Sequence, residues 1–158
     1  MKALVVYYSR TGTTEKVAYE IAKKLNADIE KLTDNMKRSG IIGWLRCGRQ
    51  AIKKELTELN PLKNDPAEYD LVVIGTPKWA GGITPHVRTY LSKNAKVIRK
   101  AAFFVTSGGG EYAKLFVDMS KLASVESVPN LGLTSKVVKR GDISVHVSKF
   151  IEELTSDA

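Results

Sequence analysis

The stretch Ala3-Leu-Val-Val-Tyr-Tyr8, followed by Ser9-Arg-Thr-Gly-Thr-Thr14, decides the fold of this chain. The first half is a short apolar run, which predicts a buried strand. The second half contains hydroxyl residues, one glycine and one arginine, and it leads into apolar residues at helical spacing between Thr13 and Asn26. A buried strand that turns into a helix in this way is the first unit of a parallel α/β sheet.

Two further apolar strands end in loops of similar character. The strand Asp70–Gly75 leads into Thr76-Pro-Lys-Trp-Ala-Gly81, and the strand Ala101–Ser107 leads into Gly108-Gly-Gly-Glu-Tyr112. In open α/β sheets, ligands bind beyond the carboxyl ends of the strands, where the strand order reverses. We therefore expect the three loops to converge on one ligand.

The loop residues indicate the shape of that ligand. Amides and hydroxyls between Ser9 and Thr14, at the start of a helix, suit a phosphate. Trp79 and Tyr112 stand among small residues, so each can stack on one face of a flat ring. A phosphate at one end and a planar ring at the other describe FMN. The predicted cofactor-binding residues are Ser9, Arg10, Thr11, Gly12, Thr13, Thr14, Thr76, Pro77, Lys78, Trp79, Ala80, Gly81, Ser107, Gly108, Gly109, Gly110 and Tyr112.

Other kinds of site fit the sequence poorly. The chain has no Gly-x-x-x-x-Gly-Lys-Ser/Thr motif for a nucleoside triphosphate, and no Gly-x-Gly-x-x-Gly motif after its first strand. Its one cysteine, Cys47, lies outside the first loop, where a phosphatase of similar architecture would need its nucleophile. One cysteine makes neither an intrachain disulfide nor a metal cluster. We predict no catalytic side chain and no metal site, and we interpret Cys47 as an inert packing residue.

On these motifs the chain resembles the flavodoxin family over essentially its whole length. Ser9, Thr11, Gly12 and Thr14 match the family phosphate-loop pattern Ser/Thr-x-Thr-Gly-x-Thr, and the other two loops fall where the family holds the isoalloxazine ring. The resemblance implies one FMN-binding domain over residues 1–158. It also implies a three-layer, doubly wound α/β fold, whose five-stranded parallel sheet has the order 2-1-3-4-5.

The element boundaries follow from the apolar patterns. Strands are predicted at 3–8, 27–32, 70–75, 101–107 and 130–138, and helices at 13–26, 49–59, 84–92, 111–123 and 142–154. Thr13 or Thr14 is the expected N-cap of the first helix. The glycines between residues 39 and 48 suggest a loop. Ile41, Ile42, Trp44 and Leu45 either pack against the body or form a contact patch. Trp44 is interpreted as a packing residue rather than as a second flavin platform.

The net charge of +8, with a sequence pI near 9.5, is spread over several helices. The stretch from Lys37 to Lys54 contains no acidic residue, and we interpret it as a solvated helix face rather than a nucleic-acid site. The charge favours acidic protein partners. There is neither a signal-peptide core nor an 18-residue apolar run, so we predict a cytoplasmic protein without membrane insertion.

Three functions are compatible with the sequence. The resemblance implies an electron carrier that shuttles electrons between redox partner proteins through noncovalent FMN. An FMN-dependent NAD(P)H:quinone-type oxidoreductase, which would use the patch from Ile41 to Trp44 as a nicotinamide pocket, is the alternative. A flavin-free binding module of the same fold is the third. The sequence leaves monomer and homodimer open.

Two expectations concern the surroundings of the ring. The resemblance implies that a backbone carbonyl of the second loop turns on reduction, and Ala80 should resist the positive φ that this requires, which moves the turn to Gly81. Lys78, Arg10 and Arg88 outnumber the single acid near the loops, so bound FMN should be easier to reduce than in acidic flavodoxins. His86 could contact a substrate, and it has no identifiable acidic partner.

Overall fold

The computed structural model describes residues 1–156, at positions 127 and 128 by their backbone only. Asp157 and Ala158, the last residues of the predicted domain, lie outside the described residues. The strands are β1 (Ala3–Tyr7), β2 (Asp28–Lys31), β3 (Leu71–Pro77), β4 (Ala101–Ser107) and β5 (Ser127–Thr134). The α-helices are α1 (Thr13–Leu25), α2 (Gly40–Ile52), α3 (Pro85–Asn94), α4 (Ala113–Ala123), α5 (Ser135–Arg140) and α6 (Ile143–Ser156).

The five strands form one parallel sheet in the order β2-β1-β3-β4-β5, which confirms the predicted topology. Helices cover both of its faces. On one face α1 and α6 pack with Ile21 and Phe150 in the core, and on the other α3 and α4 pack with Leu91 and Met119. The central strands β3 and β4 are therefore buried on both sides, which is why their sequences are continuously apolar.

Within this sheet, Gly75 of β3 meets the ring of Phe104 on β4. A Cβ atom at position 75 would overlap that ring, so a larger residue here would require the buried ring to move. The close approach lets the fully buried Phe104 side chain fill the core on this face of the sheet.

The segment before β3 differs from the prediction. The expected loop and the expected helix at 49–59 are wrong, because α2 already begins at Gly40 and ends at Ile52. Glycines lower helix propensity, so tertiary packing decides this helix. Gly43 lies so close to the backbone of Arg38 that a Cβ atom there would overlap it.

Two further boundaries are corrected. The predicted fifth strand ran to residue 138, but β5 ends at Thr134, whose side chain accepts a hydrogen bond from the Val137 amide and begins α5. The N-cap of α1 is Gly12 at φ +91°, not Thr13 or Thr14. Glycine adopts this left-handed conformation without the steric penalty that a Cβ atom brings.

Candidate functional site

A cleft of about 870 Å³ lies at the carboxyl ends of β1, β3 and β4, and all three predicted loops contribute to it. The predicted residues that line it are Ser9, Arg10, Thr11, Thr13, Thr14, Pro77, Lys78, Trp79, Ala80, Ser107 and Gly108. The predicted residues that do not line it are Gly12, Thr76, Gly81, Gly109, Gly110 and Tyr112. The lining residues that sequence reasoning missed are Trp44, Leu45, Cys47, Gly48, Arg49, Ile52, Thr106 and Ser135.

The first loop gives the cleft a polar end. Among the described residues no side chain caps the N-terminus of α1, and the Gly12 amide donates a hydrogen bond to Ser9 Oγ at 3.0 Å. The hydroxyl residues Ser9, Thr11 and Thr13 line the cleft beside this helix start. Uncapped first-turn amides carry the positive end of the helix dipole, so the polar end suits an anion.

Two further side chains of this loop are engaged within the protein. Thr14 Oγ1 is 2.8 Å from Thr106 Oγ1, and this buried hydrogen bond ties α1 to the end of β4. Arg10 Nε donates to the Arg38 carbonyl at 3.0 Å, and an outer nitrogen of the same guanidinium donates to the Gly40 carbonyl at 3.4 Å. Arg10 therefore fixes the start of α2 beside the first loop.

The second loop is a tight two-residue turn. Trp79 and Gly82 exchange both backbone hydrogen bonds, at 2.9 and 2.8 Å, around Ala80 at φ +46° and Gly81 at φ +80°. The expectation that Ala80 resists positive φ is therefore wrong. A left-handed alanine costs about 1–2 kcal/mol, which the two backbone hydrogen bonds and the packing of α2 against the loop offset. Thr76, at the end of β3, is buried and hydrogen-bonded to Thr84.

Trp79 joins this turn to the core. Its half-buried indole meets the Tyr8 ring edge-on, with 5.3 Å between centroids, and the Arg38 guanidinium lies 5.8 Å from the indole centroid. The same residue lines the cleft. Next to it, Lys78 Nζ donates to the Glu111 carbonyl at 3.1 Å and so connects the second loop to the third. Trp79 thus lies in the cleft wall, and its contacts with Tyr8 and Arg38 on the protein side fix its orientation.

Tyr112 of the third loop packs against β5. Its ring occupies the space that a Cβ atom at Gly132 would fill, and it lies 6.3 Å from the Phe116 ring. The hydroxyl of Ser107 donates to Tyr112 Oη at 3.3 Å. The ring thus lies outside the cleft lining, and its contact with a flavin stays a prediction.

Helix α2 forms a wall of the cleft. Trp44, Leu45 and Ile52 line the cleft while remaining 62%, 58% and 67% exposed, so the interpretation of Trp44 as a packing residue is wrong. Apolar residues at positions 41, 45 and 52 follow helical spacing, which is the signal that the glycines obscured. Cys47 also borders the cleft, but it is only 2% exposed.

A buried polar cluster lies behind Trp79. Asp34, whose side chain is 4% exposed, accepts hydrogen bonds from Arg38 Nη2 and Thr57 Oγ1, both at 2.6 Å. His86 is fully buried, its ring stacks on Tyr8 with 3.7 Å between centroids, and its Nε2 atom is 3.1 Å from Asp34 Oδ2. The expectation that His86 lacks an acidic partner is therefore wrong. Its buried ring is also out of reach of a substrate.

The pKa values in this cluster depend on burial first. Burial lowers the pKa of His86 to about 4, although the carboxylate of Asp34 opposes the shift. Burial also acts to raise the pKa of Asp34, but the hydrogen bonds from Arg38 and Thr57 outweigh it and hold that pKa at about 2. Neither ring nitrogen of His86 makes a well-directed hydrogen bond among the described residues. At neutral pH the cluster therefore contains an ionised Asp34, a charged Arg38 and a neutral histidine.

The charge around the cleft is positive. Arg10, Arg49 and Lys78 line it, and none of the lining residues within 1–156 is acidic. Arg88 is buried on α3 and does not line the cleft, which corrects its expected place beside the loops. An anionic ligand in this cleft meets cations without an opposing carboxylate in the wall.

No helix within the described residues is long and apolar enough to cross a membrane. Over the same part of the chain, no group of three or more histidine, cysteine, aspartate or glutamate residues could hold a metal ion.

Comparison with known proteins agrees with this geometry. The family model described as flavodoxin matches residues 2–149. No curated protein sequence matches the chain.

Several solved structures are similar. A flavoprotein from Lactobacillus acidophilus, solved in complex with FMN, has a TM-score of 0.71 at 22% identity, over 88% of this chain and 97% of that one. A flavoprotein from Bacteroides eggerthii has a TM-score of 0.72 at 20% identity, over 91% and 98%. Oxidised flavodoxin 1 from Bacillus cereus has a TM-score of 0.56 at 17% identity, over 98% and 100%. At these identities the similarities establish the fold.

Proposed function

The chain belongs to the flavodoxin family, and from this premise we propose that it is an electron carrier that binds FMN noncovalently. The observation that carries the proposal is the cleft at the carboxyl ends of β1, β3 and β4. Its polar end has an uncapped helix start among hydroxyls, and its other end has Trp44, Trp79 and Ile52. The cofactor matches both ends, because FMN has a phosphate at one end and a flat, largely apolar ring at the other.

The donor set at the polar end fits a phosphate monoester. The first-turn amides of α1 and the hydroxyls of Ser9, Thr11 and Thr13 would hold its oxygens. Trp79 would contact the ring, since its indole is fixed in the cleft wall by Tyr8. When bound, FMN supplies the chemistry of accepting and releasing electrons, and the protein supplies orientation, stacking and electrostatics.

The positive wall should make the bound flavin easier to reduce. Arg10, Arg49 and Lys78 favour added negative charge on a ring in the cleft, because opposite charges attract and no carboxylate lines the wall within the described residues. We expect the potential for the second electron to be less negative than in acidic flavodoxins. Potentiometric titration measures it, and a value as low as theirs would contradict this part of the proposal.

Redox partner proteins with acidic surfaces, in the cytoplasm, are the proposed donors and acceptors. The net charge of +8 attracts such surfaces at long range and speeds encounter. Because salt screens this attraction, the rate of electron exchange with an acidic partner should fall as ionic strength rises. A rate independent of salt would argue against an acidic partner.

The deciding experiment is a visible absorption titration of the purified chain with FMN, followed by anaerobic reduction with dithionite in steps. Perturbed flavin bands and uptake of electrons one at a time support the carrier. Bound flavin that takes electrons only in pairs, together with steady NADPH oxidation in the presence of a quinone, supports the reductase. No binding at excess FMN refutes both and leaves the binding module.

A further inference from the structure

Helix α2 has two apolar sides, and only one of them packs against the protein. Gly43, Cys47 and Ala51 are buried on the inner side. On the adjacent side of the helix, Trp44 and Leu45 are more than half exposed. A surface helix normally presents polar residues to solvent, so the exposed apolar residues on the outer side of α2 indicate that this side binds another molecule.

The cleft lies on that outer side. At about 100° per residue, positions 44, 45, 48 and 52 fall on one side of a helix, and all four line the cleft. Small residues let the helix pack closely on the second loop, since a Cβ atom on Gly82 would lie 3.2 Å from the Ala51 carbonyl and one on Gly48 would lie 3.8 Å from the Ala80 Cβ. The outer side of α2 is thus directed to the cleft by close backbone packing.

We propose that Trp44 provides the second aromatic surface against the flavin ring, with Leu45 and Ile52 covering the ring's apolar edge. This inference rests on the proposed binding of FMN. Trp44 and Trp79 are the two aromatic residues that line the cleft within residues 1–156. Tyr112, which the sequence suggested for this role, packs instead over Gly132 and against the Phe116 ring.

A flat ring in this position explains the exposed side of α2. Stacking on an aromatic face and burial of Leu45 and Ile52 both remove apolar surface from water. Trp44 is 62% exposed and its indole makes no hydrogen bond or ring contact with another described residue, so its replacement should change ligand binding without unfolding the chain. Binding and stability can therefore be measured separately.

The first test compares three variants by titration of the apoprotein with FMN, read by quenching of flavin fluorescence. We expect Trp44→Ala to weaken FMN binding about fivefold to a hundredfold, which is the usual effect of removing one aromatic stacking partner. Trp44→Phe should retain most of the affinity. Ile42→Ala is the matched control, because Ile42 is an exposed apolar residue of the same helix that does not line the cleft.

The second test asks whether Trp44 touches the ring. The chain contains two tryptophans, so Trp79→Phe leaves Trp44 as the only one. We expect FMN at saturating concentration to quench the indole emission of this variant strongly. Circular dichroism of each apoprotein establishes that the variants are folded.

The outcomes separate this inference from the proposed function. If the wild-type chain binds FMN and Trp44→Ala binds it as tightly as Ile42→Ala does, the role of Trp44 is refuted and the function stands. If Trp44→Ala weakens binding but FMN leaves the emission of Trp79→Phe unchanged, Trp44 does not contact the ring and the inference is again refuted. If the wild-type chain does not bind FMN, both proposals fail.

Discussion

Lowering the pH from 8 to 5 should cost the chain about 2 kcal/mol of unfolding free energy through His86 alone. The ordinary histidine pKa of 6.5 applies in the unfolded state, whereas burial lowers the folded value to about 4. At pH 5 the unfolded histidine is therefore almost fully protonated and the folded one is mostly neutral. Because the unfolded state binds more protons, stability falls as the pH falls through 6.5, and the two pKa values give about 2 kcal/mol by pH 5.

Asp34 contributes almost nothing to the change in unfolding free energy between pH 8 and pH 5. Its pKa is 3.8 ordinarily and about 2 in the folded protein, so it stays ionised in both states at pH 5. Its own contribution is present above pH 3.8 and is lost only as the pH falls from there towards 2. The interval from pH 8 to pH 5 therefore separates the contribution of His86 from that of Asp34.

The assay is urea unfolding of the full chain without added flavin, followed by circular dichroism between pH 5 and pH 8. His86→Phe keeps an aromatic ring on Tyr8 but cannot titrate, so the loss of stability between pH 8 and pH 5 should shrink by about 2 kcal/mol. His146→Gln is the control, because His146 is the chain's other histidine and is exposed on α6. The reasoning is refuted if wild type and His86→Phe lose the same stability over this interval.

Two further substitutions test the packing around the site. Gly75→Ala should destabilise the chain by about 1–3 kcal/mol or more, because the new Cβ atom overlaps the Phe104 ring, and adding Phe104→Leu should recover part of this loss. Chemical denaturation measures the stability of both variants. An unchanged denaturation midpoint for Gly75→Ala would contradict the contact. Asp34→Ala should lower the unfolding free energy by about 3–5 kcal/mol, because it leaves the buried Arg38 guanidinium without its carboxylate. Adding Arg38→Met should restore much of that stability. A double variant no more stable than Asp34→Ala would show that the ion pair does not account for the loss.

The sequence by itself determined the sheet and the place of the cleft. Continuously apolar runs such as residues 101–105 appear where helices cover both faces of a strand, so they mark the central strands without any tertiary information. The rule that ligands bind where the strand order reverses then located the loops. The loop from Ser9 to Thr14 does line the cleft, apart from Gly12, and its binding of a phosphate stays a prediction.

Tertiary structure decided the features that depend on a distant partner. The helix from Gly40 to Ile52 forms despite its glycines because its backbone packs closely on Arg38 and on the second loop. Ala80 adopts a positive φ because Trp79 and Gly82 close the turn around it.

His86 meets an acidic partner 52 positions earlier in the chain, and Tyr112 packs on β5 rather than beside the cleft. Local patterns report propensity and burial, and they contain no signal for which distant side chains meet. The fold and the polar end of the cleft were therefore readable from the sequence. The identity of its second aromatic wall depends on how α2 packs, because only that packing directs Trp44 to the cleft.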